Sequence, residues 1–101
     1  MIDIIKTQSG EKITLALSGK LDTATAQTLH DALIPEFERA KHVELDFADL
    51  NYVSSAGLRI LLIGEKTAKA KGSKQTLINV SSGVMKILEM TGFIVILNIV
   101  E

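Results

Sequence analysis

Apolar residues recur along this chain with two different periods, and the switches between them mark its elements. Ile2 and Ile4 fall on one side of a short segment at 1–6, while Ile13, Leu15 and Leu17 alternate with Thr14, Ala16 and Ser18. A period of two is that of a half-buried strand. Between these runs Gln8-Ser9-Gly10-Glu11 is polar and carries a glycine, which predicts the turn of a hairpin. Gly19 to Asp22 ends the second strand, and Asp22 or Thr23 is placed to cap a helix. In that helix Ala26, Leu29, Leu33, Phe37 and Ala40 step by three and four. Pro35 lies inside the pattern, removes a donor and crowds the preceding turn. It should kink or split the helix, which is expected to continue, bent, to about Arg39.

Val43, Leu45 and Phe47 return to the strand period, and Asp49 to Tyr52 has no period and reads as a loop. Helical spacing restarts at Ala56 and runs to about Ala70, with Leu58, Leu61, Leu62 and Ala68 on its buried face and Gly72 as C-terminal cap. Thr76 to Val80 reads as a short buried strand. Ser81 or Ser82 caps a third helix whose Val84, Ile87, Leu88 and Thr91 share a face, and Gly92 ends it before a last strand, Ile94 to Val100. The order is therefore ββαβαβαβ, an α/β fold in one domain spanning 1–101. Its opening hairpin is antiparallel and the later strands are parallel, since each is reached through a helix. If that sheet grows in one direction through right-handed crossovers, all its helices lie on one face.

Composition narrows the chemistry. Hydrophobic residues make up 47% but aromatics only 4%, so the core must be aliphatic. Eleven basic residues against twelve acidic ones give a net charge of −1, without the basic excess of a nucleic-acid binder. The absence of cysteine excludes disulfides, zinc-thiolate sites and a thiol nucleophile. Asp3, Lys6 and Gln8 break the N-terminal apolar run, against a signal peptide, and no segment approaches the roughly 20 apolar residues that a membrane span needs. A cytoplasmic location fits these absences. His30 and His42 stand apart with no ligand spacing, and no Gly-rich phosphate loop is present, so neither a metal nor a cofactor is expected. Asp22 reads as a cap and Asp46 as a solvent-facing strand residue rather than as paired acid–base groups. Val53-Ser54-Ser55-Ala56-Gly57 lacks the first glycine of a hydrolase elbow, and no histidine is tied to it, so no enzyme is expected.

Ser54 and Ser55, just ahead of the second helix, carry the sharpest functional signal. Their hydroxyls can accept from the helix's free N–H groups, and the same terminus favours a negative charge. The ordinary reading of such serines is capping. What counters it is the setting, because Tyr52, Val53, Ala56 and Gly57 make the junction small and apolar, a surface suited to a partner.

The run from Asp46 to Leu62, with Ser-Ser-Ala-Gly-Leu at 54–58, together with Gly19-x-Leu21-Asp22, resembles the STAS domain of bacterial anti-sigma factor antagonists. Gly72 and the Leu88–Gly92 stretch also sit where that family has them, so the resemblance covers essentially the whole chain. It implies a mixed STAS-like sheet with helices packed on it. Aligning on Gly57 and Leu58 places the family's phosphorylated serine at Ser55. Ser54 then stands where the family often has aspartate, Ala56 where it has a second Ser or Thr, and Asp22 matches an aspartate near the phosphosite. The resemblance further implies a non-enzymatic switch. Unphosphorylated, such proteins bind an anti-sigma factor that is also an ATP-binding serine kinase, which frees a sigma factor to activate transcription. Phosphorylation by that kinase dissolves the complex, and a metal-dependent serine phosphatase resets it. Partner contacts are expected at Asp22, Asn51, Tyr52, Ser54, Gly57 and Arg59, with Ile63 one turn on, in a monomer that touches neither nucleic acid nor membrane. STAS-like domains also occur as constitutive subunits of lipid-transport ABC complexes, which is the competing expectation.

Overall fold

In a computed structural model of the chain, which describes residues 1–100, five strands form one mixed sheet in the order β1-β2-β3-β4-β5. The strands are β1 (Ile2–Ser9), β2 (Lys12–Leu21), β3 (His42–Val53), β4 (Lys74–Ile78) and β5 (Ile99–Val100). The helices are α1 (Ala26–Leu33), α2 (Glu36–Arg39), α3 (Ser55–Lys71) and α4 (Ser82–Thr91), followed by a 3₁₀ turn at Phe93–Val95. β1 and β2 pair antiparallel, and every later pair is parallel. Each strand lies beside its predecessor, so right-handed crossovers put the helices on one face, as the chain order predicts.

That face holds the core. Leu15, Leu45 and Leu77 stand side by side across β2, β3 and β4, and all three are buried. Their neighbours along each strand turn to the other face, where Thr14 and Glu44 are half-buried. Burying an aliphatic side chain of this size contributes about 1.5–3 kcal/mol, and the core cluster draws such residues from every helix and from all strands but the short β5. Among the described residues no helix is long and apolar enough to cross a membrane.

Four boundaries differ from the sequence expectation, each for a local reason. Pro35 splits the first helical pattern into α1 and α2 rather than bending it, because its ring nitrogen has no proton for the helical ladder. Asp49 to Tyr52 is not a loop: β3 continues to Val53, pairing Ser18 with Asp49, Lys20 with Tyr52 and Leu21 with Val53. Two register shifts there give β3 extra residues, so its buried positions become Phe47, Leu50 and Val53 and the period of two disappears. β4 starts and stops two residues earlier, and Asn79 ends it with a φ of 56°. Ile94 to Val100 is mostly not strand, since the chain leaves Gly92 at φ 81° into the 3₁₀ turn and pairs only at Ile99–Val100.

Candidate functional site

The parallel strand β2 and the helix α3 meet at one point, and the two serines lie there. Ser54 is extended, with φ −94° and ψ 175°, and caps α3. Its Oγ accepts from the Gly57 N–H at 3.4 Å and its carbonyl from the Leu58 N–H at 2.9 Å. Its own N–H donates to the Leu21 carbonyl at 2.9 Å, which pins the helix mouth to the end of β2. Capping thus falls to Ser54 alone. Ser55 occupies the first helical position, is exposed, and makes no side-chain hydrogen bond among the described residues. The first turn of α3 carries no acidic residue of its own, and its partial positive charge favours an anion.

Gly57 makes this closeness possible. A Cβ on it would stand 2.6 Å from Leu21 Cγ and 3.0 Å from Leu21 Cδ2 and carbonyl oxygen. Gly57 is buried against β2 and offers no side chain to a partner, which corrects its expected place in the docking surface. It seats the helix that presents Ser55.

Asp22 follows Leu21 directly and folds the turn into α1. Its Oδ1 accepts from the Ala24 N–H at 3.0 Å and the Thr25 N–H at 3.1 Å. The Thr25 hydroxyl accepts from the Asp22 N–H at 2.9 Å and lies 3.1 Å from the same Oδ1. Partial burial pushes the Asp22 carboxyl up, but the bonds from the Thr25 side chain and from the Thr25 and Ala24 backbone together outweigh it and hold the group below the usual carboxylate range. Asp22 thus bonds the turn ahead of α1, whereas the N-cap of the helix is Thr25, which makes no side-chain cap bond; this corrects the expected cap at Asp22 or Thr23.

Asn51 and Tyr52 are exposed at the far end of β3, ahead of the serines in the chain, and Tyr52 pairs with Lys20 of β2. Arg59 is exposed one turn beyond Ser55. Between α3 and the end of α4 opens a groove of about 270 Å³ lined by Ser55, Leu58, Arg59, Leu62, Thr91 and Phe93, which Asn51 and Tyr52 do not reach. Three of these differ from the sequence reading. Leu62 was expected in the core but is half-buried at the groove wall. Thr91 and Phe93 come from the end of α4 and the 3₁₀ turn, brought in by the Gly92 break; an aromatic directly after a helix-ending glycine was the only signal for them. Ile63, expected as a contact, instead packs half-buried against the core.

Among the described residues neither histidine is hydrogen-bonded to Ser55. His30 Nδ1 lies 3.2 Å from Asp31, and His42 Nε2 lies 2.8 Å from the Thr76 hydroxyl. Asp46 Oδ1 accepts from the Ala48 N–H and from Asn79 Nδ2, each at 3.0 Å, and does not join Asp22. Among the described residues no group of three or more His, Asp or Glu could hold a metal ion. What the site presents is an open hydroxyl, Ser55, at the mouth of α3.

Residues 5–98 match the family model described as Mlab, STAS domain. The anti-sigma-B factor antagonist of Bacillus subtilis is 26% identical over 91 residues, covering 90% of this chain and 84% of that protein. The putative anti-sigma factor antagonist BtrV of Bordetella bronchiseptica is 30% identical over 79 residues, covering 77% and 68%. The Bacillus anti-sigma factor antagonist SpoIIAA has the same fold in both of its solved forms. The unphosphorylated form gives a TM-score of 0.80 at 17% identity, over 98% of this chain and 89% of that one; the phosphorylated form gives 0.73 at 16%, over 98% and 92%. With the strand order, the Ser-Ser-Ala-Gly-Leu mouth of α3 and this match in hand, the chain belongs to the STAS domain family.

Proposed function

We propose that this protein is an anti-sigma factor antagonist, a docking module switched by phosphorylation of Ser55. The observation that carries the reading is the exposed, uncommitted Ser55 hydroxyl at the mouth of α3. The names of its relatives support the partner class. In this scheme the unmodified surface around Ser55 and Arg59 binds an anti-sigma factor that is an ATP-dependent serine kinase, and a sigma factor is released. The γ-phosphoryl group of ATP then passes to Ser55 Oγ, ADP leaves, and the hydroxyl proton is taken up by a base of the kinase. A metal-dependent phosphatase hydrolyses the ester and restores the hydroxyl. All of this takes place in the cytoplasm.

The phosphate acts at the interface rather than on the fold. It adds about −1.5 to −2 charge at neutral pH, against −1 for the whole chain. The helix mouth tolerates an anion, so the scaffold persists. A partner surface shaped for a hydroxyl meets bulk and a dianion, and a penalty of about 3–4 kcal/mol weakens binding by two to three orders of magnitude. The test is a pull-down from native cells with Ser55→Ala and Ser55→Asp. Alanine retains an ATP-binding partner and aspartate loses it; equal retention by both contradicts the mechanism.

A second reading, a constitutive subunit of a lipid-transport ABC complex, is favoured by the Mlab description of the matching family model. Intact mass of the protein from its native cells separates the two. A fraction heavier by one phosphate and absent in Ser55→Ala belongs to the switch, and a single unmodified mass belongs to the subunit.

A further inference from the structure

From Tyr52 to Gly64 the chain holds one charged residue, Arg59. It is exposed and joins none of the ion pairs among the described residues, whereas the other arginine, Arg39, is held by the Glu36 carboxylate at 3.1 Å. Ser55 and Arg59 are four residues apart on α3, which brings their Cβ atoms to about 5–6 Å on one face of the helix. Both line the same groove, whose other walls are Leu58, Leu62, Thr91 and Phe93. That groove offers Arg59 no carboxylate. An acidic group four residues N-terminal to a basic one is also the favourable orientation for a helical ion pair.

We propose that Arg59 is the intramolecular counter-ion of a phosphate carried on Ser55, its guanidinium donating to two phosphoryl oxygens at once. The planar fork of arginine matches phosphate in this way, and lysine supplies only a point charge. The inference rests on Ser55 being the phosphorylated residue. Its consequence is that modification changes two groups of the docking surface together: a hydroxyl becomes an anion, and the groove's lone cation is withdrawn onto it. Other charges do not account for the same effect. Lys20 near the end of β2 alternates away from buried Leu21 and does not line the groove, the Asp22 carboxylate that follows the strand opposes the dianion, and Thr91 and Phe93 from the α4 side carry no charge.

The test uses the full chain with phosphoserine installed at position 55 during synthesis, so it does not depend on finding the kinase. The phosphate is titrated by ³¹P NMR in the parent, in Arg59→Gln and in Arg59→Lys. The second phosphate pKa is expected about half a unit lower in the parent than in Arg59→Gln, with Arg59→Lys between them. The Arg59 Nε–H resonance is expected to shift on phosphorylation and to return as acid protonates the phosphate. Identical titrations for parent and Arg59→Gln, or an Nε–H signal indifferent to the phosphate, overturn the pairing. Arg59 is exposed, so these variants are expected to fold as the parent does. The two readings fail separately: a chain never phosphorylated in its cells removes the switch but leaves a measured pairing intact. A phosphorylated chain whose titration ignores Arg59 removes only the pairing.

Discussion

Replacing Gly57 by alanine is expected to destabilise the protein, although it introduces the best helix former in place of a poor one. At an open helical site that exchange stabilises by about 1 kcal/mol. Here the new methyl would stand 2.6 Å from Leu21 Cγ and 3.0 Å from Leu21 Cδ2 and carbonyl oxygen. Carbon atoms sit comfortably at roughly 3.5–4.0 Å, so the first turn of α3 must withdraw by about 1 Å. Leu21 cannot step aside, because its side chain is fully buried and its carbonyl holds the Ser54 N–H. Overpacking of this kind costs about 1–3 kcal/mol, which leaves a net loss of about 1 kcal/mol once the propensity gain is subtracted. Gly83 in the first turn of α4 supplies the control. A Cβ there meets nothing within 4 Å, and Gly83→Ala should stabilise by about 0.5–1 kcal/mol. Urea and thermal unfolding read both, with a change in Tm of about 4–8 °C per kcal/mol for a chain of this size. The two substitutions should move the midpoint in opposite directions. A Gly57→Ala protein as stable as Gly83→Ala would refute the claim that contact with Leu21 seats α3.

Ser54→Ala removes the α3 cap. The bond it loses is long at 3.4 Å, so the cost should lie near the low end for capping, about 0.5–1 kcal/mol by urea unfolding. Leu45→Ala opens a cavity between Leu15 and Leu77 and should cost about 2–5 kcal/mol in the same assay. Asp22 is a group with a lowered native pKa, so its contribution is complete above about pH 5, where the unfolded carboxyl is ionised, and is lost as pH falls through the native value. The difference in Tm between the parent and Asp22→Ala should therefore narrow in acid; a difference that widened would contradict the hydrogen-bonded role given to this carboxylate.

Much of this was legible before any coordinates. The hairpin, the parallel strands and the one-sided helix layer follow from period and order, and Gly72 and Gly92 end their helices in the left-handed conformation that glycine favours. The Ser54–Ser55 step was visible too, but not which serine does the capping, since that depends on backbone angles at one junction. What stayed hidden was set by pairing rather than by pattern. The end of β3 lost its alternation to two register shifts imposed by β2, so the strand that delivers Tyr52 read as a loop. The groove wall from Phe93 comes from a segment 38 residues beyond Ser55 whose placement only the packed fold decides. Nothing in the local pattern singles out Glu36. It is buried, with its carboxylate held by Arg39 at 3.1 Å and by Lys6 at 3.2 Å, the latter from β1, 30 residues earlier in the chain.

The central claim is that an anion on Ser55 alters a surface and leaves the scaffold as it was. Amide ¹H–¹⁵N spectra of the chain with serine and with phosphoserine at position 55 test it directly. Shifts confined to residues 51–59, the 19–25 turn and the groove residues Leu62, Thr91 and Phe93 are the predicted result. Changes spread through β1 and the sheet core around Leu45 would contradict it.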